Sequence, residues 1–156
     1  MTKKLDFPKL LERVLKFLSI RPRSRQEIIN YLKKKIPQDE ILREKVLKKV
    51  ESLDLIDDRD FAYWWVEQRM TFRPKGKKAL FFELKQKGLE KNLIEEILNE
   101  KIDELTLAKP LAEKKWLSLK KLPLAIGQQK LVDFLSRRGF SWEIIRKVLD
   151  EILKKK

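Results

Sequence analysis

Cysteine and histidine are absent from this chain of 156 residues, and glycine occurs only four times. The two absences remove disulfides, thiolate nucleophiles, imidazole bases and the usual zinc ligands together. There is no glycine-rich phosphate loop, and no apolar stretch approaches the roughly 20 residues of a membrane span. The N-terminus lacks the apolar core of a signal peptide. These absences point to a cytoplasmic protein that is not an enzyme, with no catalytic residues, no cofactor, no metal and no membrane contact; a monomer is expected. Strands are missing too, because no period-two run is long enough to form one. With hydrophobic residues at 42% and charged residues at 40%, the composition is that of a heavily solvated, all-α protein.

Basic residues dominate what remains. Lysine and arginine number 38 against 24 aspartates and glutamates, a formal net charge of +14. Such an excess opposes compaction unless something neutralises it, so a polyanion is the expected partner, with nucleic acid first, alone or inside a nucleoprotein. The charge is banded. Residues 1–35 hold 11 basic against 3 acidic, 36–60 hold 5 against 8, 67–91 hold 8 against 3, 92–105 hold 1 against 5, and 106–156 hold 13 against 5.

The glycines reveal an internal repeat. Gly76 and Gly88 are 12 apart, as are Gly127 and Gly139, and the pairs are offset by 51 residues. On that offset Glu83-Leu84-Lys85-Gln86-Lys87-Gly88-Leu89 meets Phe134-Leu135-Ser136-Arg137-Arg138-Gly139-Phe140. Stepping back 52 residues, Pro74-Lys75-Gly76 meets Pro22-Arg23-Ser24, in a first copy without glycines. Gly88 and Gly139 are expected to end basic helices as left-handed caps, whereas Ile36-Pro37 ends the equivalent first-copy helix by proline. The expected array is three tandem three-helix repeats, residues 1–56, 57–105 and 106–156, elongated or curved.

Local signals support nine helices. Asp6 caps the first, with Pro8 in its first turn and Leu10, Leu11, Val14, Leu15 and Leu18 as its apolar stripe. Ser24 and Glu27 form a capping box ahead of Ile28 and Leu32. A third helix carries Leu42, Val46, Val50 and Leu53. In the second copy Leu80 and Leu84 face inward, followed by Ile94, Leu98, Ile102 and Leu105. In the third, Pro123 breaks the chain and Ser141 caps the face Ile145, Val148, Leu149 and Ile152.

Near the middle, Asp57 or Asp58 offers a carboxylate to the first turn of a helix. At 100° per residue Phe61, Ala62, Trp65 and Val66 share one arc, and Tyr63 and Trp64 point elsewhere, towards a neighbouring repeat or, as the alternative, a partner-binding patch. Adjacent carboxylates at a helix start diverge, so Asp57-Asp58 reads as a cap rather than an acid/base pair.

Leu53, Ile56-Asp57-Asp58, Phe61-Ala62 and Arg69, with Leu84-Lys85-Gln86-Lys87-Gly88-Leu89, resemble the central signature of the RecX family of RecA regulators. Arg21-Pro22-Arg23-Ser24 with Glu27 and Leu32 is similar to that family's first-unit motif, and Arg137-Arg138-Gly139-Phe140 to its third. The resemblance implies tandem three-helix repeats that lie on RecA filaments on DNA and limit extension, strand exchange and ATP hydrolysis, as modulators in DNA repair and recombination. Asp57, Asp58, Phe61, Ala62, Gly88 and Gly139 are then structural signature residues. Two positions depart from the family pattern, Asp54 and Ile36 standing where glycine is usual.

Candidate contacts to filament or single-stranded DNA are Arg21, Arg23, Arg25, Arg69, Arg73, Lys75, Lys77, Lys78, Lys85, Lys87, Arg137 and Arg138. Among the interleaved aromatics, Phe81 fits the core and Phe82 leaves the Leu80–Leu84 face, which makes it a candidate for base stacking. The alternative is a helical nucleic-acid-binding protein that acts without RecA.

Overall fold

The computed structural model describes residues 5–154, so the outermost lysines of the first and last charge bands lie outside the described residues. Nine helices and no strand occur among the described residues. The first unit contains α1 (Phe7–Ile20), α2 (Arg25–Lys35) and α3 (Glu40–Ser52), and the second α4 (Asp58–Phe72), α5 (Lys77–Gln86) and α6 (Lys91–Lys101). The third contains α7 (Glu104–Leu119), α8 (Leu124–Arg137) and α9 (Trp142–Lys154). Each unit has its own core: Leu10, Val14, Ile28, Leu32, Val46 and Val50 in the first, Phe61, Ala62, Val66, Leu80, Leu84 and Ile94 in the second, and Ala108, Leu131, Leu135, Ile145 and Val148 in the third.

The helix starts follow their caps. The Asp6 carboxylate accepts from the Lys9 amide at 3.1 Å, and both arms of the Ser24–Glu27 capping box form. The apolar stripe of α1 is narrower than its spacing suggests. Leu15 is exposed, because α2 and α3 cover only the Leu10–Val14 side. Leu53 is exposed as well, since it is the C-cap of α3 rather than part of its face. Asp103 caps α7 through Thr106, so Leu105 packs on the third core and does not continue the inner face of α6. Pro110 sits inside α7, a position the helical pattern alone did not flag; the buried Ala108 and Ala112 hold the helix in the third core on either side of it.

Three helices end alike. After α3, α5 and α8 the residues Asp54, Gly88 and Gly139 take φ of 56°, 84° and 88°. In each case the next amide returns to the carbonyl five residues earlier: Leu55 to Val50, Leu89 to Leu84 and Phe140 to Leu135. Asp54 is the only non-glycine with positive φ among the described residues, so its departure from glycine leaves the backbone turn in place.

The turns at Gly88 and Gly139 join the units. The Ser24 hydroxyl, at the N-cap of α2, donates to the carbonyl of Lys87, the C-cap of α5, at 2.8 Å. At the equivalent place one unit on, the amide of Gly76, N-cap of α5, donates to the carbonyl of Arg138, C-cap of α8, at 2.7 Å. A second bond repeats as well. The first amide of α2, on Arg25, donates to Asp58 at 2.8 Å, and that of α5, on Lys77, donates to Glu104 at 3.2 Å. Each acceptor is the first helical residue of the next unit. The second helices therefore follow one another, the N-terminus of each meeting the C-terminus of the next.

The approach is close enough to exclude side chains. A Cβ on Gly88 would run into the Cβ of Gln26, and one on Gly139 into Ala79, 2.6 Å from its amide nitrogen. A Cβ on Gly76 would meet the Gly139 carbonyl. Gly127 plays a different part despite its matching register. It lies inside α8, because that helix starts earlier than α5 does, and it packs on Trp116 and Leu119.

Two stability measurements follow. Gly88→Ala and Gly139→Ala each incur about 1–2 kcal/mol for the left-handed backbone, and Gly139→Ala is expected to cost more, because its clash reaches main chain. Equal losses in denaturant titration would refute the tighter second junction. Phe61→Ala, at a fully buried position, is expected to lose about 3–5 kcal/mol.

Candidate nucleic-acid interface

At the first junction the charges neutralise one another. Glu27, third residue of α2, receives both terminal nitrogens of Arg21 at 2.6 and 3.3 Å, the Ser24 amide at 3.1 Å and Lys87 Nζ at 3.4 Å. Burial opposes its charge, but these donors outweigh it, and the Glu27 carboxyl is held below the usual carboxylate range. Arg21 and Arg23 also share a groove with Asp54, Asp57 and Asp60.

Against this network lie Trp64, which the helical arc left off the core face, and Trp65, which it placed on it. Arg21 stacks over Trp64 at 5.5 Å, reaching it from the neighbouring unit, and Arg69 and Lys87 stand over Trp65 at 4.9 and 5.2 Å. The Trp65 indole N–H is buried without a hydrogen-bond partner among the described residues. Tyr63 turns to its own unit instead, donating to Glu100 at 2.9 Å.

At the second junction the balance differs. Arg73, Lys75, Phe134, Arg137 and Arg138 line a cleft of about 250 Å3 between the second and third units. Arg138 is held in place by donating to the Pro74 carbonyl at 3.2 Å and lying over the Phe134 ring at 5.1 Å. The nearest ion pair is Lys75 with Glu83 at 3.5 Å, and Glu83 is already engaged by Arg69 at 2.9 Å.

The candidate cations thus divide. Arg21, Arg69 and Lys87 are committed to internal carboxylates, and Arg23 to the Phe17 carbonyl and ring. Arg25 pairs with Glu51 at 3.2 Å on the surface, and Lys77 donates to Asn99 at 3.2 Å. Arg73, Lys78, Lys85 and Arg137 are exposed and have no polar partner among the described residues. Phe82 is 62% exposed, while Phe81 packs on the second core. Asp57 and Asp58 both serve as caps, but for different helices: Asp57 accepts from the Arg59 and Asp60 amides of α4, and Asp58 from α2. The sequence carried no local signal for the cross-unit roles of Asp58, Glu104 or the Glu27–Lys87 pair, whose partners lie 27 to 60 residues away. No group of three or more metal-ligating side chains occurs among the described residues, and no helix among them is long and apolar enough to cross a membrane.

Family models of RecX match all three units in order: the first three-helix domain over residues 11–47, the second over 57–98 and the third over 102–149. The chain belongs to the RecX family. It is 39% identical over 153 residues to the regulatory protein RecX of Prosthecochloris aestuarii, covering 95% of this chain and 96% of that protein. It is 38% identical to that of Chlorobaculum tepidum, covering 92% and 88%. The crystal structure of RecX from Lactobacillus salivarius superposes with a TM-score of 0.82 at 28% identity, over 93% of this chain and 95% of that one. RecX is a family of regulatory proteins, and its three-domain plan is the one the glycine register and the end-to-end second helices describe here.

Because Glu27 titrates low in the folded chain, its share of stability is present above the ordinary carboxylate range and is lost as pH falls through its depressed value. Glu27→Gln is expected to cost about 1–3 kcal/mol at neutral pH and to flatten the decline in melting temperature below about pH 4. Parallel acid limbs for the two proteins in thermal melts would refute the assignment.

Proposed function

We propose that this chain binds RecA nucleoprotein filaments on DNA and limits their recombinase and ATPase activity, acting as a monomer and without chemistry of its own. The observation that carries this reading is the succession of the second helices. α2 ends in the exposed Lys33, Lys34 and Lys35, α5 presents Lys78 and Lys85, and α8 presents Lys130 and Arg137. A polyanion lying along consecutive units meets these cations in turn, each unit adding a few contacts that are individually weak and salt-sensitive. The second-unit segment adds Phe72 and Phe82, 74% and 62% exposed, as apolar contacts. RecA, rather than bare DNA, is the partner that the family's name supplies.

The test is association with single-stranded DNA, RecA, and RecA-coated DNA across a salt series. Preference for the coated filament is expected, and equal, steeply salt-dependent binding to bare DNA would instead favour a nucleic-acid-binding protein that does not need RecA. Reversing Lys77, Lys78 and Lys85 to glutamate is expected to weaken co-pelleting with filaments while leaving helicity intact. Unchanged inhibition of RecA's ATPase by that variant would exclude α5 as a contact.

A further inference from the structure

The two junctions occupy equivalent places in the repeat and differ in their counter-ions. Counted from the N-caps Ser24 and Gly76, Glu27 and Ala79 occupy the same third position of α2 and α5. On the repeat offsets, Arg73 stands where Arg21 does, and Arg138 where Lys87 does. At the first junction Arg21 and Lys87 both reach the Glu27 carboxylate. At the second, alanine leaves Arg73 and Arg138 with no such group, and Arg137 adds a further cation where the first junction has Gln86.

We infer that the cleft between the second and third units is an anion site that takes a phosphate group of a nucleic-acid backbone as the counter-ion the chain itself omits. Of the cleft's cations only Lys75 has a carboxylate, Glu83; the C-terminal ends of α4 and α8 meet at the cleft, and the partial negative charge of those ends favours the others. Arg138 is preorganised by the Pro74 carbonyl and the Phe134 ring, so its position does not wait for the ligand. Guanidinium groups match two oxygens of a phosphate at once. The cleft of about 250 Å3 has room for a single anionic group, and the Phe134 ring at its wall is engaged by Arg138 and Lys115. The further exposed cations on the second helices, among them Lys78, Lys85 and Lys130, suit a polymer that carries a charge at every nucleotide.

This site deepens the proposed function and rests on it for its partner, yet the two fail separately. The experiment measures binding of a labelled single-stranded oligonucleotide to the wild-type chain, to the Arg73→Gln/Arg137→Gln double variant and to Ala79→Glu, which restores the missing carboxylate. Both variants are expected to bind several-fold more weakly, with a salt slope shallower by about 1. Circular dichroism checks that each is folded, and the double variant carries the test if Ala79→Glu is not. Unchanged affinity and slope in a folded double variant would overturn the site. So would a polyglutamate peptide that displaces the oligonucleotide from the wild type but not from the double variant. In the filament assay, loss of association by the Lys77/Lys78/Lys85 variant together with full association by the double variant would overturn the cleft while sustaining the proposed function.

Discussion

The fold depends on one close approach made twice, in which the left-handed turn ending a second helix is pressed against the N-cap of the second helix before it. The turn leaves no room for a Cβ at Gly88 or Gly139, and on the other side Ser24 bonds its hydroxyl into the first contact whereas the second leaves no room for a Cβ at Gly76. The pairing is also favourable electrostatically, because the negative end of one helix faces the positive end of the next. The substantial helix-to-helix packing is all within units, so these capped ends, with the Asp58 and Glu104 carboxylates beside them, set how the units are joined. In the first unit Ile36, at the end of α2, turns inward and fills the first core.

The same junctions sort the positive charge. A lysine or arginine next to a helix end can satisfy a carbonyl, pair with a carboxylate or lie on an aromatic ring, and the first junction uses all three modes around Glu27, Trp64 and Trp65. Its cations are largely spent on holding two units together. The second junction is bridged by the Gly76 amide and by the Glu104 carboxylate on the Lys77 amide, with no acidic side chain between Arg73 and Arg138. The cations left over at Arg73 and Arg137 therefore face solvent. A net charge of +14 is in this sense two populations, one structural and one available to a polyanion.

Much of this was legible without coordinates, because the informative signals were local. The Ser24–Glu27 capping box, the turns at Gly88 and Gly139 and the inward faces around Leu80 and Ile145 depend on residues a few positions apart, where backbone geometry leaves few choices. The register of Pro22-Arg23-Ser24 with Pro74-Lys75-Gly76 correctly identified equivalent N-caps. Where reading failed, a neighbour from elsewhere had intervened. Leu15 and Leu53 fit an apolar stripe by spacing, yet no second element covers them, and Leu105 fits the face of α6 although the Asp103 cap has already started the next helix. Gly127 keeps its register but not its role, because α8 begins before the repeat predicts.

The sequence by itself determined the helices, their grouping in threes and the family, since each follows from periodicity, caps and short motifs. Only the tertiary structure decided which cations are available. Whether a cation meets a carboxylate depends on residues up to 60 positions away being brought within 3.4 Å, and spacing along a chain carries no record of that distance.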